Sequence, residues 1–131
     1  MATVSTQIKI TSNAATATTP GPLTFALSLD NTDTLTVNGR VVAEVEEVAA
    51  SGVPKIFDSS TTAESYVYLN NISDTNMFVT NSNGAGAAGD RFMMLKAGEA
   101  AFFPWAGSQD LHLDHGSADT KKCEYFIFVQ A

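Results

Sequence analysis

Apolar and polar residues alternate along this chain with a period of two, the signature of half-buried strands, and nowhere hold the 3.6-residue period of an amphipathic helix. Val4, Thr6, Ile8 and Ile10 alternate with Ser5, Gln7, Lys9 and Thr11 as a first strand. Residues 12–22 are small and polar and end in Pro20-Gly21-Pro22, the composition of a loop or arm. Leu23, Phe25, Leu27 and Leu29 resume the alternation, and Asp30-Asn31-Thr32-Asp33 reads as a turn. Asn38-Gly39, between Leu35-Thr36-Val37 and Val41-Val42-Ala43, predicts a type I′ hairpin whose second arm runs on to Val48, because both residues tolerate positive φ. Glu44, Glu46 and Glu47 also permit a short helix there, but the valines and the turn favour strand.

Ser51-Gly52-Val53-Pro54 breaks the chain, and further strands are predicted over 65–69 and 77–80, joined by a turn through Asn70 to Asn76. Residues 83–90 are a glycine-rich loop. Residues 91–96 and 99–103 are expected to pair as a hairpin about Ala97-Gly98, ended by Pro104-Trp105. Leu111-His112-Leu113 is a short strand, and 124–130 the last one. Short strands at this spacing predict an all-β, single-domain protein, a β-sandwich with a jelly roll among the possible arrangements. The expected organisation is an N-terminal strand and polar arm over 1–22 and a β-sandwich domain over 23–131.

Composition narrows the function classes. The chain has 131 residues, enough for one core, with 44% hydrophobic and only 16% charged residues, against roughly 25% charged in typical soluble domains. Thr, Ser, Asn, Ala and Gly fill the surface instead, as in proteins that pack closely in assemblies. A net charge of −7 with seven basic residues lacks the cationic footprint for phosphate backbones or anionic membranes. A single cysteine, Cys123, excludes a disulfide within the chain and reads as a free thiol on or beside a strand. No basic stretch followed by an apolar one opens the sequence, so no secretory signal is expected, and no apolar run reaches membrane-span length.

Candidate chemistry is sparse. His112-Leu113-Asp114-His115 is the one cluster with metal-ligand character: on a strand His112 and Asp114 share a face, with Asp110 two positions earlier, and His115 points the other way. A cupin-like enzyme would need a His-x-His pair and a third histidine, and the chain has only two histidines. Asn83 to Gly89 resembles a phosphate loop, but a strand pattern follows it where a helix N-terminus is required. Glu44, Glu46 and Glu47 lack calcium-loop spacing and read as a solvated face. No nucleophile elbow occurs. The expectation is therefore no catalytic residue, no metal and no cofactor.

The aromatic residues carry more. Phe102-Phe103-Pro104-Trp105 places rings on both faces of one strand, and Tyr125, Ile127 and Val129 alternate with Phe126 and Phe128 on a closing strand that is apolar on both faces and is expected at a sheet edge. Phe102, Phe103, Trp105, Tyr125, Phe126 and Phe128 are accordingly the candidate interface, with a homo-oligomer, dimer or trimer, as the expected state. A carbohydrate-binding module would instead use Trp105 with Tyr66 or Tyr68 as stacking faces.

The hairpin Val37-Asn38-Gly39-Arg40, the Asn-ended strand Tyr66-Val67-Tyr68-Leu69-Asn70-Asn71, the stretch Arg91 to Trp105 with its Leu95-Lys96-Ala97-Gly98-Glu99 turn, and the aromatic closing strand Tyr125 to Val129 together resemble small virion proteins of tailed bacteriophages. These include capsid decoration (cement) proteins and head or tail fibre modules. The resemblance covers roughly residues 35–131. It implies a sandwich or jelly roll without enzyme activity, made in the host cytoplasm and carried on the capsid surface, with the major capsid protein as partner. A fibre module binding carbohydrate or receptor is the alternative it implies. The first 22 residues would reach across a capsid seam, Val4 to Ile10 adding to a neighbour's sheet edge.

Overall fold

A computed structural model of the chain describes residues 2–11, 28–81 and 90–130. These form strands β1 (Ala2–Thr11), β2 (Ser28–Val48), β3 (Lys55–Phe57), β4 (Ser65–Asn71), β5 (Met77–Thr80), β6 (Arg91–Leu95), β7 (Ala100–Trp105), β8 (Leu111–His115) and β9 (Lys121–Gln130). The fold is all-β, as the alternation predicts. One sheet has the order β1-β2-β9-β4-β7 and the other β3-β8-β5-β6. From β2 to β9, this interleaving of eight strands between two sheets is the double Greek key of a jelly roll. The chain divides into two compact units, Ala2–Thr36 and Val37–Ala131. The second holds the sandwich. The boundary expected after residue 22, the predicted arm over 12–22, the beginning of the strand expected from Leu23 and the glycine-rich loop over 83–89 lie outside the described residues.

The core is where the inner faces of the two sheets meet. β4 contributes Val67 and Leu69, β9 contributes Cys123, Tyr125 and Ile127, and the smaller sheet contributes Phe57, Met77, Val79, Leu95, Leu111 and Leu113. Alternation along β4 is complete: Ser65, Val67, Leu69 and Asn71 are buried, while Tyr66, Tyr68 and Asn70 are half-buried on the opposite face.

Several local expectations give way to longer-range pairing. Asn38-Gly39 does not turn the chain. It lies within the continuous strand β2, where the register to β9 slips between Val37↔Gln130 and Val41↔Phe128. Four residues of β2 there match two of β9, so the pair is spent on a bulge. From Val41 to Val48 every residue of β2 has a partner on β9, and that ladder outweighs the local turn propensity. The turn expected at 30–33 is likewise absorbed into β2.

The Ala97-Gly98 turn forms, with Gly98 at φ 76 and the Glu99 amide bonded to the Lys96 carbonyl at 3.0 Å. It does not make a hairpin: β6 pairs with β5 and β7 with β4, so the turn crosses between sheets. Pro104-Trp105 continues β7 instead of ending it. Proline is tolerated because β7 is an edge strand of its sheet. The closing strand β9 is not at an edge but lies between β2 and β4.

Candidate functional site

The histidine cluster stands on β8, which is buried along its whole length. His112 and Asp114 point away from the core face that carries Leu111 and Leu113, and both are nonetheless covered. His112 Nδ1 donates to the Val53 carbonyl at 3.1 Å. Asp114 Oδ2 accepts from Arg91 Nε at 3.0 Å and from an Arg91 Nη, and the guanidinium lies 4.0 Å from the centre of the Phe78 ring. On the other face, His115 Nε2 donates to the Val48 carbonyl at 2.8 Å, and its Nδ1 accepts from the Ser117 amide at 3.1 Å. A carbonyl only accepts and an amide only donates, so these partners fix the neutral tautomer with its proton on Nε2.

Asp110 lies apart from the cluster's other members. Its carboxylate accepts from Lys55 Nζ at 2.8 Å and from the Ser59 amide and hydroxyl at 2.8 and 2.7 Å. Those hydrogen bonds, Lys55 foremost, hold its carboxyl well below the usual range. The polar residues of β8 are thus engaged in fastening the strand to β6, to the end of β2 and to the loops around it.

The bond from Arg91 depends on a register slip. Val79 pairs with Met93 but Thr80 with Arg91, leaving Phe92 as the extra residue of a bulge. Phe92 stacks on Trp105 at 5.7 Å, and Arg91 is free to cover Phe78. Phe78, Arg91, Phe92, Met93 and Met94 line an open depression of about 360 Å³.

The six candidate interface residues divide by face. Phe103 and Trp105 pack against the core from the edge strand, and Tyr125 is a core residue with 5% exposure. The Tyr125 hydroxyl donates to Glu44 Oε2 at 3.0 Å, and burial, followed by that carboxylate, raises its pKa. Glu46 is raised as well, first by burial and then by the charges of Glu44 and Glu47. Phe102, Phe126 and Phe128 lie on the outer face of the larger sheet, where Tyr66 and Tyr68 complete a pavement. In register, Ala43, Phe126, Tyr68 and Phe102 form one cross-strand row, and Phe128, Tyr66 and Pro104 lie in the next, on the level of Val41. Tyr66 stacks on Phe102 at 5.9 Å with 7° between the rings, and Tyr68 on Phe126 at 5.4 Å. Phe126 and Phe128 are 6.4 Å apart.

Neither row contains a charged residue. Polar groups begin one row further along, where Asn70 donates to Glu124 at 3.1 Å, and continue to the Lys122–Glu47 pair at 3.0 Å. The residues proposed for sugar stacking are not one surface: Trp105 is on the core side, stacked on Phe92 and edge-on to Phe103, while Tyr66 and Tyr68 face outward.

Asn71 is the residue whose part the alternation pattern least revealed. Fully buried at the end of β4, it donates from Nδ2 to the carbonyls of Thr75, Leu95 and Lys96 at 2.7, 3.0 and 3.0 Å, and its Oδ1 accepts from the Ser73 amide and hydroxyl. Its backbone exchanges bonds with Gly98 and Glu99. It therefore ties together two of the turns that cross between the sheets, β4 to β5 and β6 to β7. The Asn-ended strand and the Leu-Lys-Ala-Gly-Glu turn, conspicuous as separate sequence segments, are one hydrogen-bonded unit.

No family model and no curated protein matches the chain. Among solved structures it is similar to a Bacillus endospore appendage, of a family of disulfide-linked pili, with 18% identity, 80% of this chain and 98% of that chain covered, and a TM-score of 0.46. A likeness of that size carries no argument about function.

Proposed function

We propose that this chain is a non-enzymatic structural protein that attaches in many copies to a larger shell, as a capsid decoration (cement) protein does to a phage head. The observation that carries this reading is the uncharged aromatic pavement on the outer face of the larger sheet. Rings that stack on one another across β7, β4 and β9 give a stiff, flat apolar surface. Desolvating it costs little compared with desolvating ionised groups, and aromatic centres with polar rims are the usual anatomy of protein interfaces. A jelly roll braced by the Asn71 bonds gives units joined through such a surface the rigidity to bridge shell subunits. Strand β1, which stands first in the larger sheet's strand order, is the segment that would add to a neighbouring chain. The phage setting rests on the sequence resemblance, while the sheet face supports the broader role.

The histidines and Asp114 support the non-enzymatic part of the reading, because their hydrogen bonds are used to hold β8 in place. Co-sedimentation with capsid shells lacking this protein tests the proposal. Saturable binding in fixed proportion to the shell subunit is expected. Shells left bare at tens of micromolar protein would overturn it, and specific retention on a glycan array would put a carbohydrate-binding module in its place.

A further inference from the structure

We propose that the outer face of the larger sheet is the contact between two copies of this chain, stacked sheet against sheet. This inference rests on the reading of the pavement as an interface and gives its occupant as a second copy, so that the pair meets a shell through its remaining surfaces.

Charge selects the occupant first. Two copies of a chain with net charge −7 repel wherever carboxylates face each other. The rows Ala43-Phe126-Tyr68-Phe102 and Phe128-Tyr66-Pro104 contain no ionisable carboxylate or cation. Two copies that meet over these rows avoid that penalty.

Shape selects it next. The rings of Tyr66 and Phe102 are nearly parallel, and those of Phe126 are tilted by 30° and 33° from Tyr68 and Phe128. The result is a pavement of rings stacked or tilted against one another across three strands. A flat sheet face is matched by another sheet face, packed about 10 Å away as in any sandwich.

Area sets the strength. Four strands at about 4.8 Å spacing and the two uncharged rows, about 6.8 Å apart, make a footprint of roughly 260 Å² per copy. Two copies cover roughly 520 Å² before the relief of the rings is counted, below the roughly 1,000 Å² of a specific stable interface. The pair is therefore weak, forming at tens to hundreds of micromolar and reinforced where copies are held close together.

Sedimentation equilibrium of the whole chain, with Tyr68→Lys, Phe102→Lys and the control Met94→Lys, tests this. Met94 is 45% exposed on the other sheet. The wild type and Met94→Lys are expected to pass from monomer to dimer as concentration rises, and added salt should tighten the pair by screening the net charge. Tyr68→Lys and Phe102→Lys should each weaken it at least tenfold. Phe102 sits on an edge strand, so its variant carries the test if Tyr68→Lys does not fold, with circular dichroism as the check. A wild type that stays monomeric at several hundred micromolar, or folded lysine variants that pair as the wild type does, would overturn the proposal. Wild-type protein that binds shells as a monomer would overturn this inference alone. A dimer that leaves shells bare would overturn the attachment role alone.

Discussion

The two faces of the larger sheet are built from the same strands and meet different conditions. On the inner face, Val67 and Leu69 of β4 and Ile127 of β9 are closed in by the second sheet and are 3% exposed or less. On the outer face, Tyr66, Tyr68, Phe126 and Phe128 of those strands cover one another only in part and remain half-buried. Val67, Leu69 and Ile127 fill the closed side together with Tyr125, Phe103 and Trp105, where packing rewards exact volume. Aromatic residues fill the open side, where ring stacking across strands gives some stability and leaves a surface for a partner. Burial within this chain therefore accounts for one face and only in part for the other, where the proposed association is placed.

Substitution on the inner face should have the largest effect. Leu69→Ala is expected to cost about 3–4 kcal/mol in urea unfolding, since it opens a cavity in a fully closed site. A loss under about 1 kcal/mol would mean that the inner face is loosely packed. Asn71→Ala comes next, at about 2–3 kcal/mol, because it leaves the carbonyls of Thr75, Leu95 and Lys96 without their shared donor. Amide exchange should then rise first in the two crossing turns that this side chain joins.

Gly107→Ala follows, at about 2 kcal/mol. Gly107 has φ 72, and an added Cβ would lie 3.1 Å from the backbone of Ala63 and Glu64. Gly98→Ala, at φ 76 but in open space, should cost about 1 kcal/mol. Thermal melts of both variants check the order, and equal losses would mean the contact with Ala63 is unimportant.

Burial on the inner face also predicts a pH effect. It pushes the Cys123 thiol up to about 11 from an ordinary 9.0. The neutral form is favoured in the fold, so this contribution is complete below pH 9 and is lost as pH rises toward 11. Burial raises Tyr125 too, so the measurement is the difference in urea midpoint between wild type and Cys123→Ala. That difference should shrink across this window. A constant difference would contradict the assignment. The smallest stability effect is expected on the outer face, where Tyr68→Ser removes one ring stack at about 1 kcal/mol or less, although the same site dominates the proposed pairing.

Much of this contrast is legible in the sequence. Period-two alternation marks β4 and β9 and separates Tyr66 and Tyr68 from Val67 and Leu69, and it reveals that Phe102 and Phe103 face opposite ways. Alternation does not say which strands become neighbours. Asn38-Gly39 has the chemistry of a hairpin and forms a bulge because β9, distant in sequence, supplies a longer ladder. Ala97-Gly98 turns as expected but joins different sheets, since the strands on either side find partners in β5 and β4. β3, only Lys55–Phe57, is too short for any periodic signal. The residues Leu111 to His115 read as a short strand with a polar flank and are buried to the last, because the needed partners, Arg91, Val48 and Val53, come from elsewhere in the chain.

Hydroxyl-radical footprinting of the outer face, read by mass spectrometry on dilute free protein and on protein bound to shells or concentrated into dimers, tests the central claim most directly. Tyr66, Tyr68, Phe126 and Phe128 should be labelled in the dilute chain and protected in the assembled one, while Phe92 and Met94 on the smaller sheet keep their labelling. Equal labelling of the four outer rings in both states would contradict the account.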